Sequence, residues 1–256
     1  MQLAIDVGNT NTVFAVVDER DIVCKWRCAT DSDRTGDEYF VWLSALMRSA
    51  KIEAEISDVV VASVVPRVVF NLRQLCERYF NCHPLVVGTS QCRIPVPARV
   101  DEGTQVGADR LVNSAAAFDL YGGDLIVVDF GTATTFDVVD SDGAYIGGAI
   151  APGIDLSLKA LHGAAAALPH VDIARPDRVI GTNTQDCMHS GVYWGYVGLI
   201  QGVCSRIRGE RGREMTAIGT GGLADFFAAQ SGLFNHVNLD LTIHGLAVVL
   251  AANRSL

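Results

Sequence analysis

"AIDVGNTNTVFAVVD" (Ala4 to Asp18) begins as an apolar strand, turns through Gly8-Asn9-Thr10 and leaves as a β-branched second strand. A carboxylate at the strand end, then a glycine, then hydroxyls and amides place several polar groups at one tip. "DLIVVDFGTATTFDVVD" (Asp124 to Asp140) repeats the arrangement. A shift of 123 residues pairs Asp6 with Asp129, Gly8 with Gly131 and Thr12 with Thr135, and sets Leu3 and Ile5 against Ile126 and Val128. A whole supersecondary unit recurring at half the chain length points to duplication. The reading is two similar α/β halves, residues 1–117 and 118–256.

The remaining elements fit that plan. A third strand is expected over 22–28, a helix over 36–50 with Tyr39, Phe40, Leu43, Leu46 and Met47 on one face, and a strand in "SDVVVASVVP" (Ser57 to Pro66), whose unbroken apolar run suits a strand covered on both sides. A helix over 68–80, a short strand over 85–87 and a helix over 106–121 complete the first half. The second half is read as a strand over 144–153, helices over 153–162 and 185–208, a strand over 215–219, and helices over 222–230 and 241–253. Gly191, Gly195, Gly198 and Gly202 allow another helix to come close, either in the same chain or in a second subunit.

Composition narrows the function. Apolar residues make up 49% of the 256, yet no run of eighteen occurs, so a globular chain without a membrane span is expected. The start shows no basic region followed by an apolar stretch, hence no secretory signal. Seven cysteines, an odd number without a CxxC pair, fit free or buried thiols in a reducing compartment, and the expected location is cytoplasmic. A net charge of −9 weighs against binding nucleic acid, although a nucleotide's phosphates can still be held by N–H groups, hydroxyls and a metal. Lysine occurs only at 25, 51 and 159, never within GxxxxGK[ST], so no P-loop is present.

Each polar turn suits a phosphate chain and its cation: the Asp oxygens take the metal or its waters, and the turn donors take phosphate oxygens. One such turn alone is more often a plain turn whose Asp satisfies local N–H groups. Two in register would face each other across the groove between two halves, with Asp6 and Asp129 bracketing one phosphate group.

The twin turns are similar to the phosphate loops of the acetate and sugar kinase, Hsp70 and actin superfamily. Members of that superfamily are duplicated ribonuclease-H-like domains with a nucleotide cleft between them. "DVGNTNT" (Asp6 to Thr12), "ASVVP" (Ala62 to Pro66), "VGADR" with "VN" two residues on (Val106 to Asn113), "DFGTATTFD" (Asp129 to Asp137), "GGAIAPG" (Gly147 to Gly153), "GTNT" (Gly181 to Thr184) and "GTGG" (Gly219 to Gly222) together resemble a type III pantothenate kinase, in that family's order and over nearly the whole chain. The resemblance implies ATP-dependent phosphorylation of the primary hydroxyl of pantothenate. It also implies that Asp6, Val7, Gly8, Asn9, Thr10, Asn11, Thr12 and Val13 hold ATP, with Thr132 a further ATP contact. Asp109 becomes the proton acceptor, with Gly107, Ala108, Asp109, Arg110 and Thr184 holding pantothenate. Asp129 becomes the ligand of a monovalent cation, K⁺ or NH₄⁺, beside the Mg²⁺ that accompanies ATP. A homodimer follows, since relatives supply the Thr184 contact from the partner subunit, while the GTGG turn would lie near the adenosine.

The residues support part of this independently. A carboxylate can accept the hydroxyl proton, and Arg110 can pair with an anionic substrate. Read alone, Asp109 is better taken as a plain first-turn acid favoured by the helix dipole, and it is the VGADR setting that turns the reading towards a base. One departure stands out: relatives carry an aromatic residue in the loop ahead of GADR, where this chain has Val100. The six histidines show no metal-ligand spacing and read as surface or core residues. A sugar kinase or exopolyphosphatase-like hydrolase would keep both loops but lacks VGADR. An actin- or Hsp70-like nucleotide switch would need a longer chain.

Overall fold

β1 (Gln2–Val7) is buried on both faces, as its apolar sequence requires of the middle strand in a five-stranded sheet. The computed structural model that shows this describes residues 1–165, 168–229 and 232–254. β1 pairs antiparallel with β2 (Asn11–Asp18) and parallel with β4 (Asp58–Ser63), while β3 (Asp21–Ala29) and β5 (Leu85–Val86) form the edges in the order β3-β2-β1-β4-β5. Leu3, Ile5, Val7, Phe14 and Val16 share one core with Tyr39 and Leu43 of α1 (Gly36–Ser49) and with Val68 and Leu72 of α2 (Pro66–Leu75). Ala4, Ala15, Val60 and Ala62 belong to a second core on the other face, built with α3 (Ala108–Tyr121) and α7 (Leu241–Arg254). Alternating side chains of one strand set thus serve two helical layers.

α1 starts where its sequence says it should: Thr35 and Glu38 form a capping box, with the Glu38 carboxylate accepting from Thr35 N–H at 2.8 Å. The helix expected over 68–80 divides into α2 and a π-helical turn, Cys76–Phe80, which ends at Asn81 with φ +52°. The first unit comprises Met1–Tyr121 and the C-terminal stretch from Asp240 onward. The last helix, which the sequence reading grouped with the second half, is therefore part of the first unit. Ile243, Leu246, Ala247, Val249 and Leu250 fill its second core, and Gly245 crosses α3 so closely that a β-carbon there would lie 2.2 Å from Val112 O.

The second unit, Gly122–Leu239, repeats the topology strand for strand. β6 (Leu125–Phe130), β7 (Ala133–Val139), β8 (Tyr145–Pro152), β9 (Thr216–Gly221) and β10 (His236–Val237) take the order β10-β9-β6-β7-β8, in which β6 holds the place of β1. Ile126, Val128, Phe130, Phe136 and Val138 pack with α4 (Ile154–Ala164), α5 (Thr184–Arg211) and α6 (Ala224–Ala228), through Tyr193, Tyr196, Ile200 and Phe227 among others. β10, two residues long, was not foreseen, and residue 230 of the helix expected over 222–230 lies outside the described residues. α5 runs 28 residues, to a left-handed Gly212 with φ +64°. β-Carbons at Gly191, Gly195 and Gly198 would meet nothing within 4 Å, so among the described residues no other helix packs against this stripe. Among the described residues no helix is long and apolar enough to cross a membrane.

Candidate active site

The first polar turn closes a tight hairpin. Gly8 N–H donates to Asn11 O at 2.9 Å, Asp6 stands at the end of β1 opposite Val13, and Asn9, Thr10 and Asn11 are exposed at the tip. Thr12 is fully buried, and its hydroxyl lies 2.9 Å from that of Thr30, which donates to Gly8 O at 2.7 Å. Thr30 N–H also donates to Thr10 O at 2.9 Å. One face of the loop is therefore tied to the residue just past β3, and the tip is left open.

The second turn is shorter by one residue. Gly131 N–H donates to Ala133 O at 3.0 Å, and Asp129 pairs with Thr135, whereas Asp6 pairs with Val13. The equivalent of Thr12 is consequently Thr134 and not Thr135. Each lies opposite the residue after its Asp, Val7 or Phe130, and each is fully buried. Thr132 is exposed at the tip, and its carbonyl accepts from Gly153 N–H at 3.0 Å, where a β-carbon would lie 2.3 Å away. Tyr196 braces the same end of β8. Its hydroxyl donates to Pro152 O at 2.6 Å and sits 3.0 Å from Ser157 Oγ, while burial pushes its phenol pKa up.

Asp129 is half-buried between Thr135 of β7 and Thr220 of β9. Gly221, with φ +86°, runs so close that a β-carbon there would stand 2.4 Å from Asp129 Oδ1. The "GTGG" stretch is thus the end of β9 beside that carboxylate.

"VGADR" forms the start of α3. Gly107 O accepts from Leu111 N–H at 3.3 Å, and Asp109 Oδ1 accepts from Arg110 N–H at 2.9 Å. Asp109 and Arg110 are half-buried, and Ala108 joins the core that holds Ala62, the β4 partner of Asp6. Val100 is half-buried in the loop that leads to this helix.

Thr184 is the first residue of α5, exposed, behind an N-cap in which Asn183 Oδ1 accepts from Asp186 N–H at 2.9 Å. A concavity of about 300 Å³ lined by Arg175, Arg178, Gly181, Asp186 and His189 adjoins that helix start. A larger one, about 810 Å³ between the end of α1 and the π-helical turn, holds none of the candidate residues. Of the two residues that hold the loops, Thr30 escaped the sequence reading, and Gly153 entered it only as the end of the GGAIAPG motif, with no role assigned. They lie 123 apart, the same shift that relates Asp6 to Asp129, and that spacing was the available signal.

Comparison with known proteins places these features in a family. A family model described as type III pantothenate kinase matches residues 2–206. The chain is 63% identical to the type III pantothenate kinase of Dinoroseobacter shibae, with 99% of both chains covered. It is 62% identical to that of Roseobacter denitrificans, again over 99% of both. Among solved structures it is similar to the activator of 2-hydroxyisocaproyl-CoA dehydratase from Clostridium difficile, with a TM-score of 0.53 and 12% identity over 99% of this chain and 94% of that one. The fold is that of the actin-like ATPases and sugar kinases.

Proposed function

The chain belongs to the type III pantothenate kinase family, and from that premise we propose how its residues convert pantothenate and ATP to 4'-phosphopantothenate and ADP, the first step towards coenzyme A. The observation that carries the reading is identity of 63% across the full length of a curated relative, with the phosphate-type hairpin present twice on one repeated sheet topology.

In this reading Asp6 to Val13 hold the phosphates of ATP, and Thr132 adds a contact from the second hairpin. Gly107, Ala108 and Arg110 seat pantothenate, with Arg110 facing its carboxylate and Thr184 contributing a further contact. Asp109 accepts the proton of the primary hydroxyl as the new oxygen–phosphorus bond forms and the bond to the ADP oxygen breaks. At the half-buried start of α3 the Asp109 carboxylate accepts from Arg110 N–H at 2.9 Å, which fixes one oxygen in place.

Mg²⁺ needs only one or two carboxylates besides the phosphates it accompanies, and Asp6, at the end of β1, would offer one. Mg²⁺ held there would neutralise phosphate charge. Asp129 is assigned to a monovalent cation, K⁺ or NH₄⁺: the half-buried carboxylate, close to the Gly221 backbone, is the hard oxygen donor such an ion takes. The open glycine stripe of α5, starting two turns beyond Thr184, leaves room for the close approach of a second copy, and we assign the working form to a homodimer in the cytoplasm.

The test is ADP release from protein given ATP, Mg²⁺ and pantothenate, in potassium and in sodium buffer, against a control without pantothenate. Pantothenate-dependent release confined to the potassium buffer supports both the reaction and the role of Asp129. Release equal in both buffers removes the monovalent cation. ATP binding without release in either buffer points to another acceptor, and Val100 would then be the first residue to examine.

A further inference from the structure

The two hairpins repeat one arrangement with loops that differ by one residue, and they are held differently in a way that singles out one residue. In the first, Thr30 makes three hydrogen bonds to the loop region: its N–H donates to Thr10 O at 2.9 Å, its hydroxyl donates to Gly8 O at 2.7 Å, and the Thr12 hydroxyl lies 2.9 Å from the same oxygen. A threonine hydroxyl has one proton. Since Thr30 gives its proton to Gly8 O, Thr12 must donate to Thr30, which fixes a chain from Thr12 through Thr30 to the Gly8 carbonyl.

In the second hairpin the backbone half of this arrangement survives, as Gly153 N–H donates to Thr132 O at 3.0 Å. The side-chain half does not. A β-carbon at Gly153 would come within 2.3 Å of Thr132 O and 2.7 Å of Gly131 O, and Thr134, the counterpart of Thr12, has a buried Oγ1 without a hydrogen-bond partner.

The peptide plane converts these bonds into an orientation. In a trans peptide the C=O and the following N–H point in opposite directions. All described peptides are trans, so drawing the Gly8 and Thr10 carbonyls onto Thr30 turns the N–H groups of Asn9 and Asn11 the other way. Backbone N–H groups aimed to one side are donors that an anion such as a phosphate oxygen can accept from.

We propose that Thr30 is a positioning residue of the first hairpin: by holding the Gly8 and Thr10 carbonyls it pre-sets the loop N–H groups that receive ATP phosphate oxygens. This deepens the kinase reading and rests on it for the identity of the ligand. The role assigned to Thr30 acts through the loop backbone and not through contact with substrate.

The experiment compares the parent with Thr30→Val, which keeps the shape and the backbone N–H but removes the hydroxyl, and with Thr30→Ser, which restores it. ATP affinity is read twice, as KM in the kinase assay and by equilibrium binding of Mg·ATP without pantothenate. Thermal unfolding controls for folding. The expected result is a rise of roughly tenfold in KM and Kd for ATP in Thr30→Val, in line with one to two lost hydrogen bonds. The pantothenate KM stays unchanged, and Thr30→Ser stays within about twofold of the parent. A Thr30→Val protein that binds ATP as the parent does overturns the proposal, as does equal weakening of ATP and pantothenate or a Thr30→Ser protein as weak as Thr30→Val. A parent that binds ATP but does not phosphorylate pantothenate defeats the kinase reading alone, since the binding comparison still decides the role of Thr30. A parent that does not bind ATP defeats both.

Discussion

A β-carbon at Gly107 would stand 2.6 Å from Asp109 Oδ1, so the glycine two residues ahead of the helix acid sets where its carboxylate can lie. Gly107→Ala must therefore push that carboxylate away from the position in which it accepts from Arg110 N–H at 2.9 Å. A reacting group misplaced by about an ångström loses around two orders of magnitude in rate. We expect kcat of Gly107→Ala to fall by roughly that much with the KM for ATP little changed. Steady-state kinetics in both substrates would check this, and a kcat near the parental value would show that the carboxylate position is not critical.

Asp109→Asn tests the proton acceptor directly. The amide keeps the size of the side chain but cannot take the hydroxyl proton, so turnover should drop by roughly 10²–10⁴ while ATP still binds. Single-turnover rates alongside equilibrium ATP binding separate the two. Turnover equal to the parent would remove Asp109 from the base role.

Gly153→Ala acts on the second hairpin. The added methyl meets backbone oxygens, Thr132 O at 2.3 Å and Gly131 O at 2.7 Å, which cannot swing aside as a side-chain tip would. Overpacking of this kind destabilises by about 1–3 kcal/mol and shifts the backbone locally. The expected outcome is a lower melting temperature together with a raised KM for ATP, because Thr132 is the residue displaced. Unchanged kinetics with a lowered melting temperature would separate the Thr132 carbonyl from nucleotide binding.

Much of this architecture could be read from the chain because apolar periodicity is a strong signal. The middle strands β1 and β6 are continuous apolar runs, and each ends in a DxG turn, so the duplication and both loops were legible. The one-residue difference between the loops was not. An ungapped shift pairs Thr12 with Thr135, and only the ladder register shows that Thr134 takes that place. The roles of Thr30 and of Gly153, the latter quoted only as the end of a motif, were not read for a related reason: they come from the β3 and β8 ends reaching back to the loops, which no local pattern records. The return of α7 to the first unit was also hidden, since an apolar helix face declares that it is buried but not which core buries it. At α3 the sequence supplied the motif and the structure supplied the constraint, a carboxylate boxed in by a glycine.

The return of α7 has a consequence that depends on pH. Arg254, at the end of α7, pairs with Asp58 at the start of β4, and Ser57 Oγ donates to the same Asp58 oxygen at 2.7 Å. Partial burial alone would push the Asp58 pKa up, but the bonds from Arg254 and Ser57 outweigh it and hold the carboxyl below its usual value. A folded pKa below the unfolded one, about 3.9 for aspartate, stabilises the fold above that pH, and the contribution disappears as the pH falls through the folded value. Arg254→Ala should therefore be less stable than the parent at neutral pH, by a modest amount because both side chains are partly exposed. The difference should persist down to about pH 5 and shrink as the pH drops below about 4, where Asp58 protonates in both proteins. Urea midpoints for the two proteins across that range would measure it. A gap that stayed constant on acidification would mean that Arg254 stabilises the fold mainly through the carbonyls at the end of α7, as a cation there can, and that its pairing with Asp58 contributes little.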